Sequence, residues 1–302
     1  MPEPHVTVER LASDLAMQLR AVRDTRDKEL STAFLAPAVD VTTLSCVGPS
    51  HRASSVRIKL RIAHIIIMYD DYVDSAAIVD PTLVRALLQI PHRLLAVGGF
   101  KSEAQRPEAF VQNTWLDVLD EMARLPKYTD LLPLLEFDIT QLHQAFRFAQ
   151  ALRTVPGAAH PKQNLRWLSH DFGFVLAGMV DLMASPEFDL AELGRARELF
   201  SQAQRVARLH NDLTSLEKEI AEGDPSNEVI IRARKLETEP TRGGVAFQQV
   251  EADLGGEERR LEKVAARLQS FDGLHYVAGV RELLDIQARY YAEALTRLSK
   301  TC

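Results

Sequence analysis

The sequence predicts an all-α protein. Apolar residues recur at helical spacing along nearly the whole chain; Leu11, Leu15 and Leu19, for example, are four residues apart and share one helix face. Short breaks that contain glycine or proline separate the helical segments, and neither an internal repeat nor a series of alternating strand-like segments is visible. We therefore expect a single domain, a helical bundle that spans residues 1–302.

The breaks divide the chain into predicted helices of ordinary length. One helix begins near Pro81 and ends before Gly98, as expected for a proline in the first turn. The other predicted helices cover residues 9–23, 54–74, 107–124, 131–152, 163–183, 191–222, 226–237, 245–269 and 274–299.

Composition narrows the classes of function. Of 302 residues, 46% are apolar and 26% charged, and the net charge is -6, which argues against a nucleic-acid partner. Cys46 and Cys302 are the only cysteines, which fits a reducing cytoplasm. No secretory signal is visible, and no apolar stretch reaches the roughly 18–20 residues that span a bilayer. We expect a cytoplasmic protein without integral membrane association.

The first motif, residues 70–74, reads Asp-Asp-Tyr-Val-Asp and follows the apolar run at 65–68. Asp70 and Asp74 lie four residues apart, so they project from one helix face. Carboxylates at a helix C-terminus oppose the helix dipole, and a bound cation would relieve that repulsion. Asp71 belongs to the same acidic group. The alternative is a solvated helix end without a ligand.

The second motif, residues 211–219, reads Asn-Asp-Leu-Thr-Ser-Leu-Glu-Lys-Glu. Asn211, Ser215 and Glu219 are spaced four and four, so they line one helix face with amide, hydroxyl and carboxylate oxygens. Such oxygen ligands suit Mg²⁺, and Arg208 and Lys218 on the same stripe predict phosphate binding. The alternative is an amphipathic surface helix. Asn and Ser are poor residues for a helix interior, which favours the ligand interpretation.

Together the two motifs resemble those of class I terpene synthases, particularly the compact bacterial enzymes. Residues 70–74 match the family's DDxxD motif, and residues 211–219 match its NDxxSxxKE motif. The resemblance implies a helical bundle with a central active-site cavity. It also implies three Mg²⁺ ions, with Mn²⁺ as the alternative, that bridge the substrate diphosphate. The implied metal ligands are Asp70, Asp74, Asn211, Ser215 and Glu219, with Asp71 as a further catalytic residue.

The resemblance also suggests basic contacts to the diphosphate. The family has an arginine well before its second motif, followed by a helix break. Arg166 lies 45 residues before Asn211, and residues 169–173 are the candidate break. Arg166 is therefore a predicted diphosphate ligand beside Arg208 and Lys218; the alternative is a surface arginine.

An arginine–tyrosine pair near the C-terminus is another family feature. Arg289-Tyr290 is the literal pair. Arg297 lies six residues after Tyr291, which is the family's usual register, although Leu298 then replaces the tyrosine. We favour Arg297 as the diphosphate contact.

Aromatic side chains could line the cavity and stabilise carbocations by cation–π attraction. They could equally be ordinary core residues. The candidates are Phe34, Tyr69, Trp115, Phe146, Trp167, Phe172, Phe174 and Tyr291. No Glu-x-x-His pair occurs, which counts against a di-iron carboxylate bundle.

The resemblance implies a Mg²⁺-dependent terpene cyclase that ionises a prenyl diphosphate. Two features resemble compact bacterial kaurene-synthase-like enzymes: the residues that lead into the second motif, from Arg208 to Asp212, and the tyrosine pair Tyr290-Tyr291. This resemblance suggests that the substrate is geranylgeranyl diphosphate or a bicyclic derivative of it. Farnesyl diphosphate is the second candidate. A chain-elongating prenyltransferase is disfavoured because that family usually has two aspartate-rich motifs, and a non-enzymatic helical binding protein is favoured least. A homodimer is left open.

Overall fold

The computed structural model describes residues 7–22, 35–74 and 81–301, and within these ranges it leaves out the side chains of residues 74, 162 and 290–301. The described residues form helices and connecting turns, without a strand among them. The predicted all-α fold class is therefore confirmed. No helix within the described ranges is long and apolar enough to cross a membrane.

Thirteen α-helices are described. They are α1 (Val8–Val22), α2 (Leu35–Val41), α3 (Pro49–Asp74), α4 (Pro81–Val97), α5 (Pro107–Met122), α6 (Tyr128–Thr154), α7 (Pro161–Leu168), α8 (Phe174–Met183), α9 (Leu193–Thr214), α10 (Leu216–Glu222), α11 (Glu228–Leu236), α12 (Val245–Ala265) and α13 (Gly273–Thr301). Three short 3-10 helices accompany them: Pro156–Ala158, Ser169–Phe172 and Leu190–Glu192.

Two of the predicted helices are interrupted. The segment 163–183 is divided into α7, a 3-10 turn and α8, and Gly173 after the turn has φ +67°, which glycine adopts without strain. This interruption falls at the expected break, residues 169–173. The segment 191–222 is divided at Ser215 between α9 and α10. The short helix α2 was not predicted, because seven residues are too few to show a clear helical period.

The chain divides into two compact units, which are described separately. Unit one comprises Met1–Phe137 and Leu176–Phe188, and unit two comprises Asp138–Val175 and Asp189–Cys302. The expectation of a single domain over residues 1–302 stays a prediction.

In unit one, α3 packs against α1 and α5, and α4 also packs on α5. A buried ion pair joins α3 to α8: Lys59 Nζ lies 2.9 Å from Asp181 Oδ2 and donates to Thr43 Oγ1 at 2.7 Å. Asp181 also accepts from the backbone N–H of Leu44 and from the Ser55 hydroxyl. Burial lowers the pKa of Lys59, while Asp181 opposes that shift. The contact with Asp181 therefore offsets part of the cost of burying the Lys59 ammonium group.

In unit two, α9 is the central helix and packs against α12 and α13. Apolar side chains from α9 to α12 form one buried cluster that includes Leu209, Leu213, Leu216, Val229, Phe247 and Val250. Glu192, just before α9, accepts hydrogen bonds from the backbone N–H groups of Gln269 and Ser270. These contacts fix α9, which carries the start of the second motif.

We predict that Lys59→Met lowers the free energy of unfolding by about 3–5 kcal/mol, because Asp181 would stay buried without its cation. The control is Arg124→Met, which removes an exposed pair with Asp120 and should cost about 0–1 kcal/mol. Urea unfolding of both variants measures the difference. Equal, small losses would contradict this role for the buried pair.

Candidate active site

The three predicted ligands of the second motif lie in contact within unit two. Ser215 separates α9 from α10, yet its N–H donates to Asn211 O at 2.8 Å and its carbonyl accepts from Glu219 N at 2.9 Å. The helical hydrogen bonds thus continue through the bend, which keeps the three side chains on one face. The sequence expectation of a common stripe agrees with this geometry, although the stripe crosses two helices.

The side chains of these residues also bond to one another. Ser215 Oγ lies 2.6 Å from Glu219 Oε1 and 3.4 Å from Asn211 Nδ2, and all three residues are buried. Their oxygens are a carboxylate, an amide and a hydroxyl, the donor set that Mg²⁺ takes in proteins. The residues present therefore fit a magnesium ion.

The electrostatic surroundings of Glu219 also favour a bound cation. Burial raises the pKa of Glu219, and so does nearby Asp224, while Arg208 opposes the shift. The hydrogen bonds that reach the Glu219 carboxylate come from two neutral groups, Ser215 and Asn227. A cation beside Glu219 would stabilise its charged form.

Sequence reasoning missed two residues here. Asn227, just before α11, donates to Glu219 Oε2 at 2.7 Å, and Gln287 of α13 donates to Asn211 Oδ1 at 3.1 Å. Asn227 lies in a Ser-Asn-Glu sequence that resembles a helix N-cap, which was the available signal. Gln287 has no sequence signal, because its role depends on how α13 packs on α9.

Arg208 lies at the centre of a buried ionic cluster. Its guanidinium is 3.1 Å from Asp212 Oδ1, donates to Asp171 Oδ2 at 3.2 Å, and donates to the carbonyl of Ser226 at 2.9 Å. Burial opposes its charge, but the surrounding carboxylates raise its pKa above the ordinary value. These contacts show Arg208 bonded to protein groups; its predicted contact to diphosphate stays a prediction.

The other two basic residues of unit two are more accessible. Arg166 of α7 is exposed and its guanidinium lies 5.1 Å from the centre of the Trp167 ring. Lys218 is half-buried and its Nζ lies 3.4 Å from Glu222 Oε2. Neither arrangement tests diphosphate binding, so the predicted contacts of Arg166 and Lys218 with the diphosphate stay predictions.

The first motif lies in unit one, at the end of the described part of α3. Tyr69, directly before it, is buried and its hydroxyl accepts from Trp115 Nε1 at 3.0 Å, which anchors this turn to α5. Asp70 is exposed, Asp71 is buried, and the side chain of Asp74 lies outside the described residues. Metal binding by this motif stays a prediction.

Among the described side chains, no group of three or more His, Cys, Asp or Glu is arranged to hold a metal ion. The second motif is not of that kind, because Asn211 and Ser215 supply two of its three ligand types. This statement does not extend to the first motif, because the side chain of Asp74 lies outside the described residues.

The C-terminal arginines and the aromatic candidates are only partly within the described residues. Arg289 is exposed and donates from Nε to the Asp285 carbonyl at 3.3 Å, whereas the side chain of Arg297 lies outside the described residues. Of the aromatic candidates, four are buried: Tyr69, Trp115, Phe146 and Phe174. Trp167 is exposed and Phe172 half-buried, while Phe34 and the side chain of Tyr291 lie outside the described residues. The cavity itself stays a prediction.

We predict that Arg208→Met destabilises the fold by about 3–5 kcal/mol, because Asp171 and Asp212 would lose their buried cation. Lys218→Met is the matched change at a half-exposed pair and should cost about 0–1 kcal/mol. Thermal and urea unfolding measure both. A variant at Arg208 with the wild-type stability would show that the buried cluster does not depend on this arginine.

Solved structures of terpene synthases share this fold. Linalool/nerolidol synthase from Streptomyces clavuligerus matches with a TM-score of 0.66 and 12% identity, over 97% of this chain and 98% of that chain. The 2-methylisoborneol synthase from Streptomyces coelicolor A3(2), in complex with Mg²⁺ and 2-fluoroneryl diphosphate, matches with a TM-score of 0.66 and 15% identity, over 98% of this chain and 94% of that chain.

A fungal structure matches as well. Aristolochene synthase from Penicillium roqueforti gives a TM-score of 0.53 at 13% identity, over 94% of each chain. No sequence model of a protein family and no curated protein sequence matches the chain. Its fold is the class I terpene synthase fold.

Proposed function

We propose that this protein is a Mg²⁺-dependent class I terpene cyclase, which releases diphosphate from an allylic prenyl diphosphate and cyclises the resulting carbocation. The observation that carries the proposal is the contact among Asn211, Ser215 and Glu219, three buried oxygen-bearing side chains on one face. The fold shared with terpene synthases supports it, and so does the aspartate-rich first motif.

The chain's own residues would bind and orient the diphosphate. Asn211, Ser215 and Glu219, with Asp70 and Asp74 of the first motif, are the residues that would hold magnesium. Bound magnesium supplies Lewis-acid stabilisation of the leaving diphosphate. Lys218, Arg166 and Arg297 add charge-assisted hydrogen bonds to phosphate oxygens, which stabilise the charge that develops as the carbon–oxygen bond breaks. Exclusion of water around the hydrocarbon chain would protect the carbocation.

The substrate class is an allylic prenyl diphosphate, and the sequence resemblance makes geranylgeranyl diphosphate or a bicyclic derivative of it our first candidate. The neighbours favour a shorter chain. Linalool/nerolidol synthase was solved with 2-fluorogeranyl diphosphate, and 2-methylisoborneol synthase with 2-fluoroneryl diphosphate. Both analogues have shorter prenyl chains than geranylgeranyl diphosphate, and farnesyl diphosphate stays our second candidate from the sequence. The proposed location is the cytoplasm, and a homodimer is compatible with the proposal.

Incubation of the purified protein with Mg²⁺ and geranyl, farnesyl or geranylgeranyl diphosphate tests the function. We expect cyclic hydrocarbon or alcohol products and free diphosphate, with turnover lost after chelation. Asn211→Ala should lower the rate about 10²–10³-fold with its fold intact, because it removes charge stabilisation rather than core packing. Turnover in the presence of excess chelator would overturn the metal requirement. Coupling of two prenyl substrates into a longer chain would identify a prenyltransferase instead.

The C-terminal arginines allow a second comparison. Arg289 and Arg297 lie eight residues apart in the sequence of α13, which is a little over two helical turns. Because a diphosphate contact is charge-assisted and worth about 1.5–3 kcal/mol, Arg297→Ala should lower turnover by at least tenfold, whereas Arg289→Ala should change it little. Steady-state rates and melting temperatures of both variants provide the measurement. The reverse order of rates would assign the contact to the literal Arg289-Tyr290 pair.

A further inference from the structure

Asn227 makes two kinds of contact with different atoms. Its side-chain oxygen accepts from the N–H groups of Val229 at 2.8 Å and Ile230 at 3.3 Å, which caps the N-terminus of α11. Its side-chain nitrogen donates to Glu219 Oε2 and to the Asp212 carbonyl, each at 2.7 Å. The residue is fully buried, with 0% of its surface exposed. Capping alone would not require the nitrogen.

The two bonds of the nitrogen restrain Glu219 in a specific way. Glu219 Oε1 faces the Ser215 hydroxyl, on the side of the second motif, while Oε2 is held by Asn227. The bond from Asn227 to the Asp212 carbonyl fixes the amide relative to α9. Asn227 therefore restrains the Glu219 carboxylate through Oε2, while Oε1 faces Ser215, another predicted ligand.

Gln287 holds Asn211 by a hydrogen bond to its single side-chain oxygen, which has a second lone pair for another partner. It reaches across from α13, donates to Asn211 Oδ1 at 3.1 Å and is half-buried. A primary amide carries both donors and an acceptor, so Gln287 can hold the Asn211 amide in either of its two orientations. Two of the three predicted ligands of the second motif are thus bonded to a primary amide from another element.

We propose that Asn227 and Gln287 are positioning residues, which hold Glu219 and Asn211 in place before the metal binds. The inference rests on the proposed function and deepens it. Outer hydrogen bonds fix the rotamers of metal ligands, and their loss typically lowers metal affinity about 10–100-fold. A flexible Glu219 or Asn211 would have to be ordered at the moment of binding, which weakens the site.

The test uses Asn227→Ser and Gln287→Met. Serine keeps an oxygen that can cap α11, but its side chain is shorter than that of asparagine and lacks the amide nitrogen that bonds to Glu219. Methionine has about the size of glutamine and lacks its amide. The control is Asn164→Ser, because Asn164 is also a buried asparagine, its nitrogen lies 3.5 Å from the Ser226 carbonyl, and it has no described hydrogen bond to the second motif. Circular dichroism reports the fold of each variant.

The primary readout is Mn²⁺ bound in the presence of inorganic diphosphate, measured by electron paramagnetic resonance of the free ion. We expect the wild type and Asn164→Ser to bind equally, and Asn227→Ser and Gln287→Met to bind at least about tenfold more weakly. In turnover assays, the Mg²⁺ concentration for half-maximal rate should rise by a similar factor, while the rate at saturating Mg²⁺ falls less.

The outcomes separate the two proposals. A wild type that binds no Mn²⁺ with diphosphate would overturn the proposed function and this inference with it. A wild type that binds Mn²⁺, together with folded variants of equal affinity, would overturn the positioning role alone. If Asn227→Ser unfolds, Gln287→Met decides: weaker binding supports the inference, and unchanged binding overturns it.

Discussion

The balance of charge around Arg208 is the constraint on which unit two depends. Asp171 and Asp212 contact this buried guanidinium, and Glu219 and Asp224 lie close enough to raise its pKa. Asp224 has a second partner, Arg153, at 3.1 Å. Glu219, by contrast, receives its described hydrogen bonds from two neutral groups, Ser215 and Asn227, so these bonds bring no positive charge to the face of the second motif.

This constraint connects the local fold to the candidate site. Asp171 lies in the 3-10 turn between α7 and α8, and its contact with Arg208 of α9 joins that turn to the helix of the second motif. Gly173, in the left-handed region, ends the turn and allows α8 to begin. The irregular backbone at 169–173 is thus held by the same arginine that neutralises the start of the second motif. A substitution in this turn should therefore also affect the predicted metal ligands that follow Arg208 in the sequence.

Much of this arrangement could be predicted from the sequence, because it depends on local periodicity. The four-residue spacing of Asn211, Ser215 and Glu219 indicates a common face, and the side chains are in contact. The bend at Ser215 was not predicted, since its hydrogen bonds keep the helical pattern and the residue types give no break signal. The helix break at residues 169–173 was predicted from the family resemblance, whereas the 3-10 geometry of Ser169–Phe172 was not.

What the sequence could not predict depends on contacts between distant segments. Gln287 is an ordinary residue of an amphipathic helix, and it acquires a role through the packing of α13 on α9. The pairing of Lys59 with Asp181 likewise joins residues far apart in the chain. Spacing rules describe neighbours along one helix and carry no information about such pairs.

The central claim is that Asn211, Ser215 and Glu219 bind a divalent cation together with the diphosphate of the substrate. A crystal structure of the protein soaked with Mg²⁺ and inorganic diphosphate tests it most directly. The account predicts an ion with oxygens of all three residues at about 2.0–2.1 Å and a diphosphate oxygen in the same coordination shell. Diphosphate bound elsewhere, or three side chains that keep their mutual hydrogen bonds with no ion between them at saturating Mg²⁺, would contradict it.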